Sequence, residues 1–135
     1  MTTETSRPVR WAGWVLTGLF TAFMAFDAGI KLARLPVVEE AGAALHLPPG
    51  SGFGIGVMEA ALMALYLFPR TSVLGAILLT GLMGGTAAAH WINGDPLASH
   101  VLFGVYLGVL LWGGLWLRDP RVRALMPLRA KDGAA

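Results

Sequence analysis

The sequence predicts an all-α integral membrane protein. The expected architecture is a four-helix bundle in up-down topology, with a short interfacial helix in the first loop. Three observations carry this reading. The 135 residues are 56% hydrophobic and only 13% charged, roughly half the charge a soluble globule uses to cover its surface. Four apolar runs of helical length punctuate the chain, and the basic residues between them fall almost entirely on one side. The mean hydropathy is +0.64, and the five Trp sit mostly near the ends of apolar runs, where amphipathic rings favour a bilayer interface.

The elements follow in order. Residues 1–10 are polar and read as an N-terminal tail; with no small-residue cleavage site after the apolar run, the first helix is expected to stay uncleaved. The apolar runs cover about residues 11–30, 53–68, 73–92 and 99–117. Crossing a hydrocarbon core of about 30 Å takes roughly 20 helical residues, with a working range of about 17–25. The first and third runs meet this outright. The second and fourth are short and draw on Gly50–Gly52 and Ala98–His100. None alternates with period two, so strands are not expected. Pro36 opens a short helix through His46, with Val37, Val38, Ala41 and Leu45 on one side, lying on the membrane surface until Pro48-Pro49-Gly50 ends it. Pro69-Arg70-Thr71-Ser72 makes a tight hairpin between the second and third runs. Asn93-Gly94-Asp95-Pro96 is a turn signal, with Ser99 as the expected N-cap of the fourth helix. Residues 121–135 form a C-terminal tail.

Four crossings place Arg7, Arg10, Arg70, Arg118, Arg121, Arg123, Arg129 and Lys131 on one side. Lys31 and Arg34 lie on the other, with Glu39, Glu40 and Asp95. This asymmetry predicts a multi-pass protein of the cell inner membrane with both termini cytoplasmic. Small residues four apart, Gly18/Ala22, Gly52/Gly56, Gly81/Gly85 and Gly104/Gly108, are expected to support close helix packing.

Composition also excludes chemistry. There is no Cys, which removes disulfides and thiol redox reactions. The net charge of +2 is spread over short flanks, so no nucleic-acid partner is expected. Gly52-Phe53-Gly54-Ile55-Gly56 follows no strand and is not a nucleotide loop. Ionisable residues inside a span cost about 2.5–3.5 kcal/mol or more, which singles out Asp27, Glu59, His90 and His100, with Lys31 at an edge. With helix directions alternating, all four fall in the non-cytoplasmic half. They point to a polar pocket for an apolar ligand with a polar head, with Glu59 as the central hydrogen-bonding or proton-accepting group.

The blander readings stand beside this one. Asp27 and Lys31, spaced i and i+4, suit a local ion pair. His100 suits a helix cap or a lipid head group, His90 a bond to a backbone carbonyl, and Glu59 a structural bond to a histidine of another helix. Without HxxxH or ExxH spacing, no metal site is expected.

Several stretches together resemble the DoxX-like family of small four-helix bacterial membrane proteins. They are Phe26-Asp27-Ala28-Gly29-Ile30-Lys31-Leu32, Ala44-Leu45-His46-Leu47-Pro48, Gly56-Val57-Met58-Glu59, Phe68-Pro69-Arg70-Thr71, and Gly84-Gly85 followed by His90. Gly94-Asp95-Pro96, Ser99-His100-Val101-Leu102-Phe103 and Leu117-Arg118-Asp119-Pro120-Arg121 complete the set. The resemblance implies a four-helix inner-membrane bundle associated with membrane redox or stress-response systems. The absence of Cys and of a heme or iron–sulfur ligand set argues against electron transfer by this chain alone. Three functions are therefore expected. The leading one is binding of a quinone or isoprenoid, with Glu59 as the central group, His90 and His100 orienting the head group, Asp27 setting the local field and Lys31 among the ligand-binding residues. The others are acid–base catalysis on a lipid-like substrate by Glu59 and His90, and a non-catalytic subunit of a larger membrane redox complex or homo-oligomer.

Overall fold

The computed structural model describes residues 6–127; the tail residues 1–5 and 128–135, with Arg129 and Lys131, lie outside them. Among the described residues all regular structure is helical, with no strand. The elements are α1 (Arg7–Leu32), α2 (Pro36–Ala44), α3 (Ser51–Leu67), α4 (Ser72–Asn93), a π-helical turn (Leu97–Val101), α5 (Phe103–Arg118) and α6 (Pro120–Leu125). Three helical stretches, Arg7–Leu32, Ser72–Asn93 and Leu97–Arg118, are long and apolar enough to cross a membrane. The exposed side chains of Trp11, Leu19, Phe26, Ile77, Ile92 and Val109 fit a molecule whose outer surface meets lipid.

Element ends differ from the apolar runs for identifiable reasons. α1 starts at Arg7 because Pro8 falls in its first turn, where a missing N–H costs nothing. Arginine also favours a helix as well as most apolar residues do. α3 has 17 residues, or about 25 Å. Gly50, at φ 82°, bounds it on one side. Pro69 forces Phe68 into an extended conformation at ψ 122° on the other. The fourth run lengthens through the π turn, where Leu102 N donates to Leu97 O at 2.9 Å. Pro96 precedes this turn, so the helix begins before Ser99, which is not an N-cap. The turn lets Ser99 Oγ meet His100 Nδ1 at 2.8 Å instead. α6 lies in the segment read as tail. Asp119 caps it by accepting from Arg121 N at 2.9 Å, and Pro120 occupies its first turn.

α1 packs on α5 and α3, α3 packs on α4, and α4 packs on α5. The centre is apolar: Phe20, Leu79 and Leu111 are fully buried around Tyr66, whose ring meets Phe20 edge-on at 5.6 Å. The Tyr66 hydroxyl donates to Leu111 O at 3.1 Å, which satisfies the one polar atom of a buried ring. Trp112 Nε1 ties α5 to α4 by donating to Thr80 Oγ1 at 2.9 Å. α2 presents Val38, Gly42 and Leu45 inward. Glu39 Oε2 accepts from Gly50 N at 3.1 Å, which anchors the loop.

Three of the glycines that bring helices together, Gly13, Gly75 and Gly114, are not among those singled out by spacing. A Cβ on Gly114 would lie 2.6 Å from Thr17 Oγ1 and 2.9 Å from Thr17 N, and one on Gly13 would lie 2.9 Å from Gly114 O. Gly75 of α4 abuts the backbone of Tyr66 in the same way. Of the spaced pairs, Gly56 meets α1, Gly104 meets Met83 of α4, and Gly52 meets Val38 of α2. Gly18, Gly81, Gly85 and Gly108 face open space. Spacing of four places residues on one face of a helix without saying which face it is. Gly114→Ala should therefore destabilise the protein in mild detergent by about 1–3 kcal/mol. Gly18→Ala should be neutral or slightly stabilising, since nothing lies within reach of the added methyl. Paired thermal melts of the two variants check this.

Candidate functional site

The acidic and histidine residues singled out in the helices lie toward one end of the molecule, in two separate groups. Phe23 of α1 meets Phe103 of α5 with ring centroids 5.3 Å apart. Asp27 lies one turn beyond Phe23, and His100 one turn before Phe103. Gly104 sits against Met83, and His90 lies two turns further along α4. Gly56 sits against Lys31 and Ala28, with Glu59 in the next turn of α3.

The first group joins α1 to α3. Lys31 stands in the last turn of α1, where a cation is favoured by the helix dipole. A Cβ on Gly56 would lie 2.7 Å from the Lys31 Cβ, so glycine there lets the lysine stem cross to α3. The Lys31 ammonium donates to Asp27 Oδ2 on its own helix and to Glu59 Oε2, 2.7 Å away, on α3. Glu59 is 1% exposed, and its Oε1 has no hydrogen-bond partner. Asp27 and Lys31 keep 30% and 20% of their side-chain exposure, so the group opens on that side and closes behind Glu59. Arg34, in the turn after α1 at the positive φ of 53°, lies over the Phe53 ring of α3 at 4.4 Å. An ammonium has three donors; two hold carboxylates, and one remains for another acceptor.

The second group is built on the end of α4. Gly94, at φ 78°, caps that helix through its N–H to Trp91 O at 3.1 Å, and Asp95 N donates to His90 O at 3.0 Å. This left-handed cap folds Asp95 back on its own helix. His90 Nδ1 and Asp95 Oδ2 are 2.6 Å apart, and Asn93 Nδ2 donates to Asp95 Oδ1 at 3.0 Å. An ionised carboxylate only accepts, so Nδ1 of His90 is the donor in this pair. The His100 ring meets the His90 ring edge-on at 5.3 Å.

The pairing of Glu59 with His90 expected from the sequence does not form. Glu59 bonds Lys31, and His90 bonds Asp95. Which way a helix turns its polar residue depends on its rotation about its own axis, and here the close approach at Gly56 aims Glu59 at α1. Lys31 is accordingly more central than its place at a span edge suggested. Asp95 and Asn93, read only as turn residues, are the histidine's partners. Their signal was the Asn-Gly-Asp turn itself, which brings Asp95 back to His90. Among the described residues no three His, Asp or Glu side chains are grouped to hold a metal. A cleft of about 250 Å³ is lined by Trp91, Gly94, Asp95, Leu97 and Val101. Another of about 350 Å³ is lined by Arg7, Arg10, Trp11 and Trp14. Glu59 lines neither.

Asp95 stands outside the long helices, and the hydrogen bond from His90 holds its carboxyl below the ordinary 3.8, with Asn93 adding and partial desolvation opposing. A carboxyl lowered in the folded state contributes stability that is complete above its unfolded pKa and is lost as pH falls through the folded value. The difference in melting temperature between wild type and Asp95→Asn should thus be constant above about pH 5 and shrink as pH falls below about 4. A difference independent of pH down to strongly acidic solution would contradict this assignment.

No curated protein and no solved structure matches the chain. The model of the DoxX-like family matches residues 15–114, a stretch that holds Asp27, Lys31, Glu59, His90, Asp95 and His100. With its long apolar helices and this match over most of its length, the chain is a membrane protein belonging to the DoxX-like family.

Proposed function

We propose that the protein crosses the bacterial inner membrane four times, with both termini cytoplasmic, and binds an apolar molecule with a polar head at the Asp27–Lys31–Glu59 group. Supporting the topology, Arg7, Arg10, Arg118, Arg121 and Arg123 share one end of the helices, while Lys31 and Arg34 share the other. α3 joins the crossing as the shortest member, at the lower limit for a span.

The observation that carries the binding proposal is the ammonium of Lys31. It is part-exposed, held from two sides by carboxylates, and has one donor to spare. A quinone carbonyl or an isoprenoid hydroxyl arriving along the lipid-facing side would accept that third hydrogen bond. The two carboxylates would fix the direction in which it points, and the apolar remainder of the ligand would stay in the bilayer. A head group held this way meets Lys31 and Asp27 directly, and the buried carboxylate of Glu59 acts on it through its bond to the Lys31 ammonium. A quinone is the cofactor this reading implies, within a membrane redox system.

A second reading is favoured by the same two bonds. Lys31 links α1 to α3, so the group also serves as a staple, and the protein would then act as a structural subunit of a larger complex or homo-oligomer. Mass spectrometry of molecules that copurify in mild detergent separates the two. The binding reading expects a stoichiometric quinone or isoprenoid with wild type, absent from Lys31→Met and depleted in Glu59→Gln. Bulk phospholipid alone, equal in all three, contradicts binding and leaves the staple.

A further inference from the structure

The end of the molecule opposite this group carries a concentration of positive charge in Arg7, Arg10 and Arg118 that no ion pair among the described residues neutralises. α1 begins there with no acidic residue in its first turn and no side-chain cap. Arg7 and Arg10 stand in its first turns, although a helix N-terminus already carries partial positive charge. Neither arginine forms an ion pair among the described residues. With Trp11 and Trp14 they line an open cleft of about 350 Å³. The end of α5 adds a third cation, since a Cβ on Gly13 would lie 3.0 Å from Arg118 N. The Arg118 guanidinium lies over the Trp14 ring at 4.5 Å and near Tyr66 at 5.6 Å, and its buried Nε and Nη2 have no hydrogen-bond acceptor. Among the described residues the carboxylate at this end is Asp119, already engaged as the α6 cap.

From this geometry we propose that the Arg7–Arg10–Trp11–Trp14 cleft binds the phosphate of an anionic phospholipid. Guanidinium groups match phosphate oxygens in bidentate fashion. Trp11 and Trp14 are 71% and 52% exposed, and rings of this kind at the end of a membrane-spanning helix lie at the level of lipid head groups. A lipid phosphate arrives at that level with its acyl chains already beside the apolar face of α1. A free phosphate in water has no such second attachment. The bound anion would offset the charge of Arg7 and Arg10 together with the positive end of the helix. Because the cleft precedes residue 15, it lies outside the stretch shared with the family model.

The test is native mass spectrometry of the full chain released from detergent micelles, titrated with phosphatidylglycerol, phosphatidylcholine or inorganic phosphate. Wild type should retain one phosphatidylglycerol in preference to phosphatidylcholine, and inorganic phosphate should not displace it at comparable concentration. The R7Q/R10Q variant should bind phosphatidylglycerol about thirtyfold more weakly. R70Q/R121Q, which removes the same charge outside the cleft, should bind as wild type does. Equal loss in both double variants would mean a diffuse field and would overturn the site, as would equal retention of the two lipids. Phosphate that competes as well as the lipid would overturn its assignment to a lipid. Should R7Q/R10Q melt early, the single variants R7Q and R10Q, compared with R70Q, carry the same comparison.

Discussion

A lysine shared by two carboxylates at the edge of an apolar bundle is the constraint on which the rest of this structure turns. An unpaired charge on either side of that bridge would be costly in a medium with so little water. Lys31 therefore has to reach both Asp27, on its own helix, and Glu59, on the next. The first reach is automatic at a spacing of four. The second requires α1 and α3 to touch, and glycine at position 56 is what allows it. A bridge of this kind restricts both the register of the two helices and the rotation of α3, because among the described residues Lys31 is the one cation paired with Glu59.

The remaining contacts fit around that register. At the far end α1 and α5 close on Gly13 and Gly114, and Tyr66 hydrogen-bonds to α5 and packs on Phe20 of α1. The middle is Leu, Met and Phe with few polar atoms. The protein thus places its chemistry at two ends of an apolar rod: a carboxylate–lysine group and a histidine–aspartate group at one end, arginine and tryptophan at the other. Such polarity suits a membrane protein whose apolar middle meets lipid.

Much of this was legible in the residues and some was not, for physical reasons. The helical class and the approximate spans follow from run length and from Pro and Gly punctuation, which are local. The Asp27–Lys31 pair is likewise local. The Lys31–Glu59 bond is not, because it depends on the relative rotation of two helices, and nothing in the spacing of Glu59 reveals which neighbour it faces. The same ignorance of rotation misplaced Gly18, Gly81 and Gly85 as packing residues when they face outward. His90 was recognisable as a polar residue in a span. Its partner Asp95 was hidden in a turn, where acidic residues are common for reasons unrelated to a site. The π turn at Leu97–Val101 has no signal in hydrophobicity, since Pro96 starts the helix before the apolar run begins.

The claim that Lys31 couples α1 to α3 through Glu59 is most directly tested by a double-mutant cycle of Lys31→Met and Glu59→Gln, measured by unfolding in mild detergent. The bridge predicts that Lys31→Met alone costs about 3–5 kcal/mol, because it strands a buried carboxylate. Adding Glu59→Gln should recover part of that loss, giving a coupling energy of about 1–3 kcal/mol. Two changes that simply add, within about 0.5 kcal/mol, would contradict the bridge and with it the site proposed here.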